Sequence, residues 1–143
     1  MGCDIHIYLE RRDETGSYVE IPDMPTNYPL GTRIYTRFAF LADVRNSFNI
    51  VPISSPRGLP YDISPKVLHE SEGCEGLDHD YSWLSIDELL SFDYDQPLRF
   101  REGGRGPGCT AATYRELLDD DFLPEVRQLQ ALGATRLVFW FDN

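Results

Sequence analysis

The chain has 143 residues, of which 41% are hydrophobic, 13% aromatic and 26% charged, a composition typical of one globular domain with a hydrophobic core. Thirteen basic against 24 acidic residues give a formal net charge of −11, which argues against an extended nucleic-acid interface, because such interfaces depend on many lysines and arginines. No apolar run is long enough to span a bilayer and no secretory signal is evident, so we expect a cytoplasmic protein with no membrane partner.

The N-terminal segment predicts a β-hairpin. Residues 3–12 and 17–21 alternate between apolar and polar side chains, and the turn sequence Asp-Glu-Thr-Gly separates them. Successive side chains of a strand point to opposite faces. The first strand therefore has a core face with Cys3, Ile5, Ile7 and Leu9, and a polar face with Asp4, His6, Tyr8 and Glu10.

The middle of the chain predicts short elements between proline-rich segments. Residues 22–32 contain three prolines and a glycine and are expected to be irregular. The apolar stretch 34–41 predicts a strand that runs into a short helix over 41–46. Residues 51–65 contain four prolines and predict an extended surface loop. Ser64 and Pro65 then begin a helix that ends by Gly73.

The last third predicts three helices and a central strand. Ser85 and Glu88 form a capping box. A glycine-rich segment leads to a helix capped by Thr110, and Pro124 lies in the first turn of a helix that Gly133 ends. The final segment alternates, with Arg136, Val138, Trp140 and Asp142 on one face, and is expected to pair with the first strand. The sequence thus predicts a single α+β domain over 1–143, a mainly antiparallel sheet with several short helices on one face.

The polar face of the first strand is a candidate site. Asp4 and His6 are two residues apart, so their side chains lie close together. A carboxylate and an imidazole suit a divalent Zn, Mn or Fe ion. A solvated strand face accounts for the same alternation without any site.

A second cluster, Asp78-His79-Asp80, is expected in a loop that folds over the sheet. Turn chemistry explains the two acids but not the histidine. If the two clusters meet, they form a metal centre with an open position for an activated water. The ligands would be Asp4, His6, Asp78 and His79, with Asp80 as the alternative to Asp78. A metal-free alternative makes His6 or His79 a general base that Asp4 or Asp80 orients.

Arginines supply candidate anion-binding groups. Arg101 and Arg105 lie in the glycine-rich segment before a helix start, an arrangement that favours phosphate or carboxylate, although the P-loop ending is missing. Arg45 and Arg57 are further candidates, with Trp83 as an aromatic contact. A mobile loop with incidental arginines explains the same sequence.

Several motifs together resemble a family of small proteins that tailed bacteriophages and prophages encode. They are MGCDIH at 1–6, LADVRN at 41–46, PRGLP at 56–60, SWL at 82–84 and FDN at 141–143. The resemblance covers the whole chain and implies a bacterial host cytoplasm and an accessory role outside the virion. Such accessory proteins often counter host defences or modify nucleotide metabolism.

These observations predict a metal-assisted hydrolase of a phosphoester or nucleotide-like substrate. The catalytic residues would be Asp4, His6, His79 and Asp80. One alternative is a non-catalytic protein that binds and sequesters a nucleotide-type immune signal. Another is an acidic inhibitor that docks on a host enzyme. The expected partner is a small anionic, nucleotide-like ligand, and a homo-oligomer is left open.

Overall fold

Four antiparallel strands form one sheet with helices packed against it. The computed structural model describes residues 2–22, 29–73 and 76–143. Its elements are β1 (Asp4–Arg12), β2 (Tyr18–Glu20), α1 (Tyr35–Ala42), α2 (Pro65–Glu72), β3 (Asp78–Ser85), α3 (Ile86–Ser91), α4 (Tyr114–Leu117), α5 (Phe122–Ala131) and β4 (Arg136–Asp142). The strand order is β2-β1-β4-β3. The predicted α+β class, the hairpin and the central position of the last strand beside the first are confirmed.

The core face of the sheet is covered by four helices. Leu9 of β1 and Phe139 of β4 pack with Phe38 of α1, Leu89 of α3 and Val126 of α5 in one buried cluster, which α4 joins. These four helices confirm the prediction of several short helices on one face, and α2 is a fifth helix on the other face. Its residue Val67 is buried on the polar face against Val138 and Trp140, because these two β4 side chains are apolar and require cover from water.

The capping residues of α2 and α3 are confirmed. The Ser64 hydroxyl accepts from the backbone N–H of Val67. Ser85 Oγ accepts from the N–H of Glu88 at 3.0 Å, and the Glu88 carboxylate accepts from the N–H of Ser85 at 3.0 Å. Both helices therefore begin where local chemistry satisfies their first free amides.

Three predicted elements differ from the structure. Residues 35–42 form a helix throughout rather than a strand; because residues 37–42 are all buried, this helix lacks the polar stripe that marks a helical period. The cap of α4 is Thr113 instead of Thr110. Residues 78–80 belong to β3 rather than to a loop. The irregular segment predicted over 22–32 falls mainly on 23–28, outside the described residues. Within the described ranges no helix has the length and apolar character needed to cross a membrane.

An ion-pair network fixes one end of the polar face. Glu10 is fully buried and accepts from Arg136 Nε at 2.7 Å and from the backbone N–H of Ser64 at 2.7 Å. Arg136 also donates to Asp62 at 2.7 Å, and its guanidinium lies 3.5 Å from the ring centroid of Tyr18. The network joins β1, β4 and the start of α2, and so holds the two central strands in register.

Candidate metal centre

Three acidic residues form a row across the opposite end of the polar face. Asp4 of β1 lies opposite Asp142 of β4, which in turn lies opposite Asp78 of β3. Residues directly opposite each other share a face of the sheet, so the three carboxylates project from the same side. His6 follows Asp4 by two residues and joins them on that face.

His6, Asp78 and Asp142 are close enough to share one metal ion. One candidate ligand atom from each side chain lies within 4.8 Å of the other two, and all three residues are half-buried. His6 Nε2 and Asp142 Oδ2 are hydrogen-bonded. The Oδ2 atom of Asp78 is buried and has no hydrogen-bond partner in the described part of the chain. A buried carboxylate oxygen without a partner is costly, and a bound cation would compensate it.

An aromatic stack lies beside the cluster. Trp140 is 1% exposed, and its ring stacks on His6 at 6.3 Å and on Tyr8 at 5.0 Å between ring centroids. Tyr81 packs against it at a tilt, 5.4 Å between centroids. Apolar surroundings lower the local dielectric constant and strengthen the attraction between carboxylates and a cation.

Asp4 is not part of this three-residue set. Its Oδ1 atom accepts from Arg33 Nε at 2.8 Å. This hydrogen bond lowers the pKa of Asp4 below its ordinary value, and the charge of Arg33 adds to the effect. The predicted ligand Asp4 is therefore engaged by an arginine at the edge of the cluster.

His79 and Asp80 do not join the cluster. His79 lies opposite Phe141 in the sheet and stacks on its ring at 6.2 Å between centroids, so it projects from the core face, opposite to His6. Its Nδ1 atom bonds to Asp80 at 2.7 Å and its Nε2 atom to Asn143 at 3.2 Å. The structure therefore does not bring together the four predicted ligands, and Asp80 orients only His79.

A β-bulge causes this exchange of faces. The pairing of β3 with β4 shifts between His79 and Ser82, so that Asp80 and Tyr81 both face Trp140. Asp80 adopts a left-handed backbone with φ of 54°, as the extra residue of a bulge often does. The extra residue puts Asp78, rather than His79, on the polar face.

Arg57 and Trp83 form a contact of their own. The Arg57 guanidinium lies 4.6 Å from the Trp83 ring centroid and donates to the Glu88 carboxylate at 2.9 and 2.5 Å. The backbone N–H of Gly58 donates to the carbonyl of Tyr81 at 2.8 Å. This predicted anion-binding pair therefore secures the proline-rich loop against the edge strand β3.

The other predicted anion-binding arginines are engaged at separate places. Arg101 bonds to Asp43, and Arg105 donates to the carbonyls of Cys109 and Ala111 at 3.2 and 3.0 Å. Arg45 lies over the Tyr35 ring at 5.3 Å. The four arginines thus do not form one anion clamp.

The glycine-rich segment has a packing explanation at Gly106. Its N–H donates to the carbonyl of Phe48 at 2.9 Å, and a Cβ atom there would overlap the backbone of residues 47 and 48. Only glycine permits so close an approach of two loops.

No family model, curated protein or solved structure matches the chain. Its own side chains therefore carry the functional assignment. Two residues at this end of the sheet, Asp142 and Arg33, were not among the site residues predicted from the sequence. Asp142 had a usable signal, because alternation in the last strand put it on the face of Trp140. Arg33 had none, because its contact with Asp4 joins residues 29 positions apart.

Proposed function

We propose that this protein is a metal-dependent hydrolase of a phosphoester or nucleotide-like substrate, in which His6, Asp78 and Asp142 hold one divalent ion. The observation that carries the proposal is the approach of three ligand atoms, one from each residue, to within 4.8 Å of one another. The bacterial host cytoplasm and the phage accessory role belong to the same proposal.

The ligand set suits a catalytic ion. One imidazole nitrogen and carboxylate oxygens suit Zn, Mn or Fe, and the two carboxylates offset the charge of a divalent ion. Three protein ligands leave coordination positions for water and substrate. When bound, the ion would lower the pKa of a coordinated water to about 7 and polarise a phosphoryl oxygen.

The reaction would be a displacement at phosphorus. The water oxygen forms a new bond to phosphorus as the ester P–O bond breaks, the water proton passes to solvent, and the departing oxygen takes up a proton. In this reaction His6 and the two aspartates hold the ion, while the buried Trp140 ring keeps solvent from that side of the centre.

Cobalt titration tests the metal centre directly. Trp140 stacks on His6, so Co²⁺ bound there should quench Trp140 fluorescence; Trp83→Phe removes the other tryptophan signal. We expect His6→Ala and Asp142→Asn to lose this quenching, together with any Mn²⁺-dependent hydrolysis of bis(4-nitrophenyl) phosphate.

Two histidines provide matched controls. His79→Ala alters the neighbouring histidine on the opposite face, and His69→Ala alters an exposed histidine of α2. Both variants should bind Co²⁺ like the wild type. If His6→Ala binds Co²⁺ with unchanged affinity, or if the wild type binds none at micromolar concentration, the proposal is wrong.

A further inference from the structure

Arg33 lies at the same end of the sheet as the candidate metal centre. Its Nε atom donates to Asp4 at 2.8 Å, and Asp4 lies opposite Asp142, a member of the metal centre. The Arg33 side chain is 50% exposed. Five of the other arginines in the described ranges are ion-paired with acids outside the cluster: Arg37, Arg57, Arg101, Arg115 and Arg136.

The guanidinium of Arg33 rests against Gly2. A Cβ atom at position 2 would overlap Nη1, so a larger residue there would displace the guanidinium from its present place. The bond to Asp4 uses Nε, so the terminal amino groups Nη1 and Nη2 are not required for that ion pair. Arginine is suited to phosphate because two of its N–H groups can bond to two oxygens of one phosphoryl group.

Charge balance explains why an arginine is needed here. A divalent ion held by Asp78 and Asp142 leaves the centre close to neutral, while Asp4 adds a further negative charge at its edge. A phosphoryl anion that approaches this end is repelled by Asp4 unless a cation faces it. Arg33 compensates Asp4 and presents its own N–H groups in the same place.

We propose that Arg33 binds the anionic oxygens of the substrate phosphoryl group beside the metal ion, and that Asp4 is the positioning residue that holds the guanidinium there. The inference rests on the proposed metal centre. It assigns the anion-binding role to an arginine near the ion, and it excludes neutral esters and amides as preferred substrates.

Phosphate binding to the Mn²⁺-loaded protein tests this assignment, with inorganic phosphate as the probe in isothermal calorimetry. Arg33→Ala should weaken phosphate binding by about tenfold or more, whereas its Mn²⁺ affinity should change by less than about twofold. Arg115→Ala is the matched control, since Arg115 forms an exposed pair with Asp95 at 2.6 Å through the same Nε atom. It should leave both affinities unchanged.

Two further variants separate position from charge. Gly2→Ala keeps the arginine but displaces it, and should weaken phosphate binding in the same direction. Asp4→Asn releases the guanidinium but also removes a charge that repels phosphate. If position outweighs charge, this variant should weaken phosphate binding without weakening Mn²⁺ binding, a split that a merely structural role would not produce.

Each outcome has a distinct meaning. If Arg33→Ala binds phosphate as tightly as the wild type, or if phosphate binds equally well without Mn²⁺, this inference is overturned and the metal centre stands. If Asp4→Asn leaves phosphate affinity unchanged, the positioning role of Asp4 is overturned. If the wild type binds no Mn²⁺, the proposed function falls and this inference with it.

Discussion

Asp78→Asn should stabilise the metal-free protein and abolish its response to metal. Without metal, the buried Oδ2 atom of Asp78 has no partner in the described chain, and its carboxylate shares the cluster with that of Asp142. Asparagine removes one negative charge and offers N–H groups that can donate to Asp142. The same change removes an anionic ligand, so a divalent ion binds more weakly.

The expected gain follows from the geometry of the cluster. Two unit charges 4.8 Å apart, the outer limit of the cluster, repel by about 0.9 kcal/mol in water and by about 3.5 kcal/mol at an effective dielectric constant of about 20. The side chains are half-buried, and the hydrogen bond from His6 satisfies part of the Asp142 carboxylate. We therefore expect a net gain of about 1–2 kcal/mol in the free energy of unfolding. For a chain of this length, Tm should rise by roughly 3–8 °C.

Urea unfolding with and without metal measures both halves of the prediction. In EDTA, Asp78→Asn should have the higher free energy of unfolding. With Mn²⁺ at about 100 times its Kd, the wild type should gain about 2.7 kcal/mol and the variant almost nothing. Asp80→Asn makes the same chemical change two residues away, where asparagine also tolerates the left-handed backbone, and should leave the Mn²⁺ response intact.

Two results would refute this reasoning. If metal-free Asp78→Asn is less stable than the wild type, the Asp78 carboxylate has a stabilising hydrogen-bond partner in solution. A variant that keeps the full Mn²⁺ response would mean that the ion binds without Asp78.

Two other predictions concern stability away from the metal centre. Glu10→Gln leaves the buried Arg136 guanidinium without its fully buried anionic partner and should lower the free energy of unfolding, measured in urea, by about 3 kcal/mol. The control Glu14→Gln changes an exposed residue and should alter that free energy by less than about 0.5 kcal/mol. Equal effects of the two substitutions would contradict a structural role for the Glu10–Arg136 pair. The Arg57 guanidinium, together with the N–H of Ser85, lowers the pKa of Glu88 from 4.5 to about 2. The Glu88 carboxylate therefore stabilises the folded protein above pH 4.5, and this stabilisation is lost as the pH falls toward 2. The stability difference between the wild type and Glu88→Gln should shrink across that window in urea unfolding at stepped pH, and a constant difference would contradict the assignment.

Local chemistry made helix starts predictable, and long-range pairing made the site difficult to predict. Ser64 and Ser85 cap helices through bonds to residues three positions along the chain, so the sequence contains the whole interaction. The cluster joins three strands, and its His6–Asp142 bond spans 136 positions. The alternation of the first and last strands indicated which faces His6 and Asp142 occupy, but it did not indicate their register.

The bulge in β3 explains why the structure does not bring His79 beside His6. Trp83 lies on the polar face opposite Val138, and plain alternation counted back from Trp83 would put His79 opposite Asp142, beside His6. One extra residue in the bulge moves Asp78 to that position and turns His79 to the core face. The bulge residue Asp80 takes a left-handed conformation that glycine usually supplies, so no glycine marked it in the sequence.

The two ends of the polar face differ in how their charges are satisfied. At one end, the carboxylate of Glu10 accepts from Arg136 and from the Ser64 backbone, while Asp62 shares the guanidinium. These bonds join residues of both central strands, so this end fixes the register of β1 against β4.

At the opposite end, negative charge exceeds positive charge. The carboxylates there are those of Asp4, Asp78 and Asp142. Arg33 pairs with Asp4, whereas Asp78 and Asp142 belong to the cluster, and two carboxylates offset the charge of one divalent cation. Such an excess on a half-buried surface attracts a cation. Because the same two central strands run through both ends, the ion-pair network at Glu10 also holds in place the side chains of the proposed metal centre. Loss of the Glu10 pair should therefore weaken metal binding only through unfolding, whereas loss of His6 should weaken it in a fully folded protein.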